Sequence, residues 1–236
     1  MRLAVLTTIL DVNARERMDA FSQLLIKIAA PRGLIASKTV SSIDEVHIKD
    51  SLAAVDFLSH FDERSRVIDI GSGAGLPGIP LAIAHPKLSF TLLDSVGKRI
   101  RFLEEVVERL QLDNVKIIQV RAEEAARKEG MREAFDVVLA RAVSKVSVEI
   151  ELTLPFCRIG GRVAFYKTIA QKADVMAALP IMAELGGELL GFESYEIPKM
   201  KLIRCLVVID KLSATPERYP RRVGVPARRP LNVDAT

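Results

Sequence analysis

Cysteine is scarce: Cys157 and Cys205 are the only two among 236 residues. That is too few for a Cys-rich zinc site or for the disulfide framework of a small secreted domain, and it fits a reducing compartment. Tryptophan is absent and aromatics total 5%. No apolar run approaches the length needed to cross a bilayer. There is no internal repeat and no low-complexity tract. The run Leu3 to Leu10 stops at Asp11, and Arg15-Glu16-Arg17 follows, so it is the opening of a helix rather than a signal peptide. What remains is 49% apolar and 27% charged residues, a globular composition that excludes a disordered, collagenous or disulfide-built chain. This length can bury a substantial core.

The net charge of +4 is unevenly placed. From Lys201 to Thr236 eight Lys/Arg face three acids, so the rest is near neutral. Arg218, Arg221, Arg222, Arg228 and Arg229 make this end either a solvated basic tail or a contact for a polyanion.

The first ~60 residues have helical spacing. Phe21, Leu24, Leu25 and Ile28 precede a break at Pro31-Arg32-Gly33, and Ser42 with Glu45 forms a capping box for a second helix ending near His60. The pattern then alternates. Strands are expected at 67–70, 89–94, 115–120, 135–140 and 162–166, and helices at 77–84, 98–110, 147–156 and 171–185. Two closing strands, 188–197 and 202–210, have no helix between them. Alternation of this kind implies a parallel sheet with helices on both faces, and the closing pair suits a Rossmann-like methyltransferase sheet. The division expected is an N-terminal helical segment (1–60), an α/β core (61–212) and a basic C-terminal arm (213–236) of loop character.

The first strand runs into Asp69-Ile70-Gly71-Ser72-Gly73-Ala74-Gly75-Leu76-Pro77-Gly78. Glycines here let the backbone turn sharply and approach a ligand. Counted from Gly71 the pattern is G-x-G-x-G, as in S-adenosylmethionine enzymes. Counted from Gly73 it is G-x-G-x-x-G, as in dinucleotide enzymes. The strand ends at Ile70, which favours the first register. Asp69 either meets the cationic methionyl end of such a cofactor, directly or through water, or caps the loop. Asp94 ends the second strand, where an acid accepts hydrogen bonds from ribose hydroxyls. Ala122 and Glu123 follow the third strand, where an adenine edge would lie, although Glu123 is equally placed to cap the next helix.

Arg141, at the exit of the fourth strand, offers a planar fork for a carboxylate or phosphate, or a structural ion pair. Lys167, after Tyr166, either faces substrate or lies on the surface. These two are the candidate catalytic residues, without an assigned general base. The Asn/Asp-Pro-Pro-aromatic motif of exocyclic amine methylation is missing at Ala140-Arg141-Ala142. Neither cysteine has the Pro-Cys or Thr-Cys context of pyrimidine C5 methylation, so both belong in the core. A ring nitrogen with a free lone pair, such as guanine N7, needs orientation and no base. A dinucleotide oxidoreductase and an RNA-binding assembly factor without catalysis are the rival classes.

From about Phe21 to Leu231 the sequence resembles the RsmG (GidB) methyltransferases, which modify a guanine N7 in the 530 loop of bacterial small-subunit rRNA. The resemblance lies in His47-Ile48-Lys49-Asp50-Ser51-Leu52, Asp69 to Pro80, Leu92-Leu93-Asp94-Ser95 with Lys98-Arg99, Arg121-Ala122-Glu123, Ala140-Arg141-Ala142-Val143 and Thr215 to Arg222. It implies a class I methyltransferase fold with an N-terminal helical extension, S-adenosylmethionine as cofactor, and 16S rRNA in the 30S subunit as acceptor. No metal or membrane partner is implied, and a cytoplasmic monomer is expected. Gly71, Leu76, Ala122, Glu123 and Arg141 match cofactor-contacting positions, with Ser72, Gly73, Gly75 and Asp69 in the same loop and Asp94 as ribose acid. His47 and Asp50 either contact RNA or lock the helical segment to the core. The arginine tail becomes a phosphate-contacting arm, ordered on binding.

Overall fold

The computed structural model describes residues 10–36, 40, 42–141, 145–197 and 202–232, apart from the Glu45 side chain. The expected helix start at Leu3, the Glu45 half of the capping box, and Ala142 to Ser144 lie outside them.

Seven strands form one sheet in the order β3-β2-β1-β4-β5-β7-β6. They are β1 (Arg66–Ile70), β2 (Ser89–Asp94), β3 (Val115–Gln119), β4 (Phe135–Arg141), β5 (Cys157–Thr168), β6 (Gly187–Ile197) and β7 (Leu202–Lys211). The first five pair in parallel, and β7 lies antiparallel between β5 and β6. The strand order reverses at β1, so the crevice beyond the carboxyl ends of β1 and β4 is the natural ligand position.

Central strands are apolar on both faces because helices cover both. Val67 and Leu139 point into one cluster, which also holds Phe21, Leu25 and Phe57 from the N-terminal segment. Ile68 and Val138 point into the other, with Ile150, Phe156 and Met182. The N-terminal segment therefore shares a core with one sheet face. It consists of α1 (Val12–Leu24), capped by Asp11 Oδ1 accepting from Ala14 N, and a broken helical run from Asp44 to Leu58.

The amphipathic helix expected at 98–110 is α3 (Gly97–Leu110), which follows α2 (Gly78–Ala84). It buries Ile100, Phe102, Leu103, Val106 and Leu110. A four-residue helix, α4 (Ala122–Ala125), follows β3, and α5 (Val146–Thr153) follows β4.

Two elements differ from expectation. The single helix expected over 171–185 is two, α6 (Lys172–Ala177) and α7 (Leu179–Glu184), because Pro180 cannot donate a helical hydrogen bond back across the junction. The strand expected at 162–166 begins at Cys157. Gly160 and Gly161 absorb a register shift against β4, with Gly160 at φ +78.

The C-terminal segment corrects a third expectation. Expected as a loose arm, it is packed against the core. Arg132 donates to Tyr219 O and Thr215 O, and Arg127 donates to Pro220 O. Buried Lys211 Nζ donates to Leu154 O, Leu185 O and Thr215 Oγ1. Arg221 grips Glu151, which is 0% exposed, through Nε and Nη2. A short helix, α8 (Val225–Arg228), follows. Buried acceptors demand partners, and this segment and the core supply them to each other.

Candidate active site

A cavity of about 690 Å³ opens at the carboxyl end of the parallel strands. Its floor is Ile70 to Ala74 with Leu76, its walls are Asp94 with Arg99, Ala122 with Glu123, and Arg141. Leu34, Ile35, Ala36 and His47 close it from the N-terminal side, and Gly224, Ala227 and Arg228 from the C-terminal side. This volume lies within the range of small-molecule sites.

The floor depends on backbone that only glycine adopts easily. Gly71 and Gly73 stand at φ +74 and +61. Gly71 N and Ser72 N donate to Leu93 O, tying the loop to β2. Gly75 does not reach the cavity: a Cβ there would lie 2.6 Å from Ile79 Cγ1, so this glycine serves packing.

Asp94, at the end of β2, is 3% exposed and directs its carboxylate at the loop. Its Oδ2 accepts from Gly73 N at 3.0 Å and from Arg99 Nη1 at 3.1 Å, and its Oδ1 accepts from Val96 N at 2.9 Å. Asp69 takes the capping alternative. It lies outside the cavity lining, and its Oδ2 accepts from Gly78 N at the start of α2. Asp69 Oδ1 has no hydrogen-bond partner among the described residues. Burial pushes this carboxyl up to about 7, against the opposing effect of the Gly78 N–H.

The cavity lining favours the first glycine register. Gly71 and Gly73 line the cavity, whereas Gly75 and Gly78, the later glycines of the dinucleotide register, do not. The Gly78 amide is buried and donates to Asp69.

Glu123 sits in the first turn of α4 and lines the cavity, and its Oε1 accepts from Gly224 N at 2.9 Å. Arg141 both lines the cavity and makes a structural pair. Its Nη1 donates to Asp50 Oδ2 at 3.0 Å, to His47 O and to Ser51 Oγ. Asp50 is 2% exposed and also accepts from Tyr195 OH at 2.6 Å, while Arg204 Nε lies 2.9 Å from its Oδ1. Asp50 thus locks the helical run to β4, β6 and β7. Burial and the Arg141 charge push His47 down to about 4, so its imidazole is neutral at pH 7.

Lys167 does not face the cavity. It is 2% exposed and paired with buried Glu149. Both cysteines are buried, as expected. Of the tail arginines, Arg218 pairs with Glu184 and Arg221 with Glu151, while Arg222, Arg228 and Arg229 are exposed. Leu34 to Ala36, Arg99 and Gly224 escape sequence reasoning as lining residues. Among them only Arg99 carried a signal, in the first turn of the helix that follows the strand-ending acid.

The donor set suits a nucleoside with a cationic amino-acid tail. A buried carboxylate stands where a ribose would be met, left-handed glycines bring backbone close, and the Arg141 guanidinium shares the lining. No group of three or more metal-ligating side chains occurs among the described residues, nor does a helix long and apolar enough to cross a membrane.

Residues 14–202 match the family described as rRNA small subunit methyltransferase G (GidB). The "Ribosomal RNA small subunit methyltransferase G" of Roseiflexus castenholzii is 49% identical over 185 residues, 78% of either chain. The protein of that name from Oenococcus oeni is 39% identical over 213 residues, 90% of this chain and 88% of that one. Among solved structures, M. jannaschii TYW2 in complex with AdoMet superposes with a TM-score of 0.54 at 16% identity, covering 69% of this chain and 77% of that one. NSun6 from Pyrococcus horikoshii with SFG gives 0.57 at 16% identity, covering 70% and 52%. These structural likenesses are of fold, and with the strand order they place the sheet in the class I methyltransferase architecture.

Proposed function

Because the chain belongs to the rRNA small subunit methyltransferase G family, we propose that it transfers the methyl group of S-adenosylmethionine to N7 of a guanine in the 530 loop of 16S rRNA. The substrate is the 30S subunit, and the enzyme works as a cytoplasmic monomer. The observation that carries this reading is the cavity where the left-handed glycine loop meets the buried Asp94 carboxylate.

In this reading Gly71, Ser72, Gly73 and Leu76 hold the methionyl portion, Asp94 the ribose, and Ala122 and Glu123 the adenine side. Arg141, fixed by Asp50, presents positive charge to the cofactor carboxylate. When bound, the cofactor supplies a methyl group on a cationic sulfur, open to in-line attack by a lone pair. Guanine N7 has such a lone pair and no proton to lose, so the protein's work is alignment and exclusion of water. Lys167, buried against Glu149, and Arg141, permanently charged, are unsuited to serve as a base. Exposed Arg222, Arg228 and Arg229 supply phosphate contacts, which position RNA without reading its sequence.

Methylation at N7 labilises the guanine, so borohydride and aniline cleave the RNA chain at that residue. Modified 30S subunits should give one new scission, within the 530 loop. Methyl incorporation without an aniline-sensitive site would overturn the N7 assignment.

A further inference from the structure

An ionised carboxylate offers about four lone-pair positions. Asp94 already accepts three hydrogen bonds, from Val96 N, Gly73 N and Arg99 Nη1. A vicinal diol that binds both carboxylate oxygens needs two. One present partner must then leave.

The three partners are not equally able to do so. Val96 N belongs to the backbone entering α3, and Gly73 N to a loop turn held at φ +61. Arg99 is a side chain, 41% exposed, attached to Asp94 through one nitrogen. It also lines the cavity, as do Arg121 and Arg228, both exposed. Arg99 is the partner that yields.

We propose that Arg99 is a cofactor-released RNA contact. Without a nucleoside it neutralises Asp94. When a ribose diol takes the carboxylate, the guanidinium swings to the rim and binds an RNA phosphate, for which its planar fork is suited. Cofactor occupancy and RNA affinity are then coupled, and the coupling is reciprocal. This inference rests on the cavity being the S-adenosylmethionine site.

The test uses the full chain and Arg99→Gln. S-adenosylhomocysteine is titrated into each by calorimetry. A fluorescein-labelled single-stranded oligoribonucleotide is then titrated across a salt series, with and without S-adenosylhomocysteine. Arg99→Gln should bind S-adenosylhomocysteine about two- to fivefold more tightly, the scale of removing a competing exposed ion pair. In the wild type S-adenosylhomocysteine should strengthen RNA binding and steepen its salt dependence by about one counterion. In Arg99→Gln it should do neither. Equal or weaker S-adenosylhomocysteine binding by the variant, wild-type RNA affinity indifferent to S-adenosylhomocysteine, or coupling that persists in the variant overturns the inference and leaves the site assignment standing. Failure of the wild type to bind S-adenosylhomocysteine overturns both.

Discussion

Asp69 and Asp94 lie at the ends of adjacent strands and do different work because their surroundings differ. Asp94 lines the cavity and accepts three hydrogen bonds, one of them from the displaceable side chain of Arg99. Asp94→Ala should therefore weaken S-adenosylhomocysteine binding by about 1–3 kcal/mol, the scale of hydrogen bonds to a charged group, and calorimetry reads this directly. Asp69 is sealed beneath α2 with one oxygen unpartnered among the described residues. Its carboxyl is raised to about 7 by burial, from an ordinary 3.8. Between these values the folded protein holds a proton that the unfolded chain has lost. The stability contribution is complete below pH 3.8, falls as pH rises and is gone above 7. Asp69→Asn removes that dependence. Its stability relative to wild type should rise between pH 4 and 7, by at most about 4 kcal/mol. Parallel denaturation curves of the two proteins over this range would contradict the assignment.

At the scale of elements, the approach of α2 to the sheet is set by one glycine. A Cβ on Gly78 would lie 2.3 Å from Leu92 Cδ2 and 2.9 Å from Asp69 Oδ2. Gly78→Ala should push α2 off β2 and destabilise the protein by about 1–3 kcal/mol, read as a lower denaturation midpoint. The elements legible in the sequence were those with local signals. Alternating helices and strands, the amphipathic face from Ile100 to Leu110 and the glycine-to-Asp94 spacing were all visible. The break of one helix at Pro180 was legible in principle, since proline marks it. Starting the fifth strand at 162 missed its first residues, because Gly160-Gly161 marks a turn before a strand as readily as the bulge within one that it is. The structural use of Asp69 and Lys167 was invisible, because a strand-end residue faces either the cavity or the core according to which helix covers it.

At the scale of the whole molecule, the N-terminal helical segment and the C-terminal segment both contribute to the cavity lining. The tail looks in sequence like a loose basic arm, because its partners Arg127, Arg132, Glu133 and Glu151 lie 70 to 93 residues away. Arg221 is held within the fold by Glu151. It compensates a buried carboxylate, and removing one member of such a pair is costly. Arg221→Ala should destabilise the fold by about 3 kcal/mol in chemical denaturation, whereas Arg229→Ala should leave stability unchanged and reduce the salt slope of RNA binding by about one.

The account as a whole depends on the Asp94 cavity delivering a methyl group to small-subunit RNA. The direct measurement follows tritium from methyl-labelled S-adenosylmethionine into 30S subunits that lack endogenous modification. Wild-type protein should label the 16S rRNA, and Asp94→Ala should do so only at raised cofactor concentration. No label in the RNA with folded wild-type protein, or undiminished transfer by Asp94→Ala at low cofactor, would contradict it.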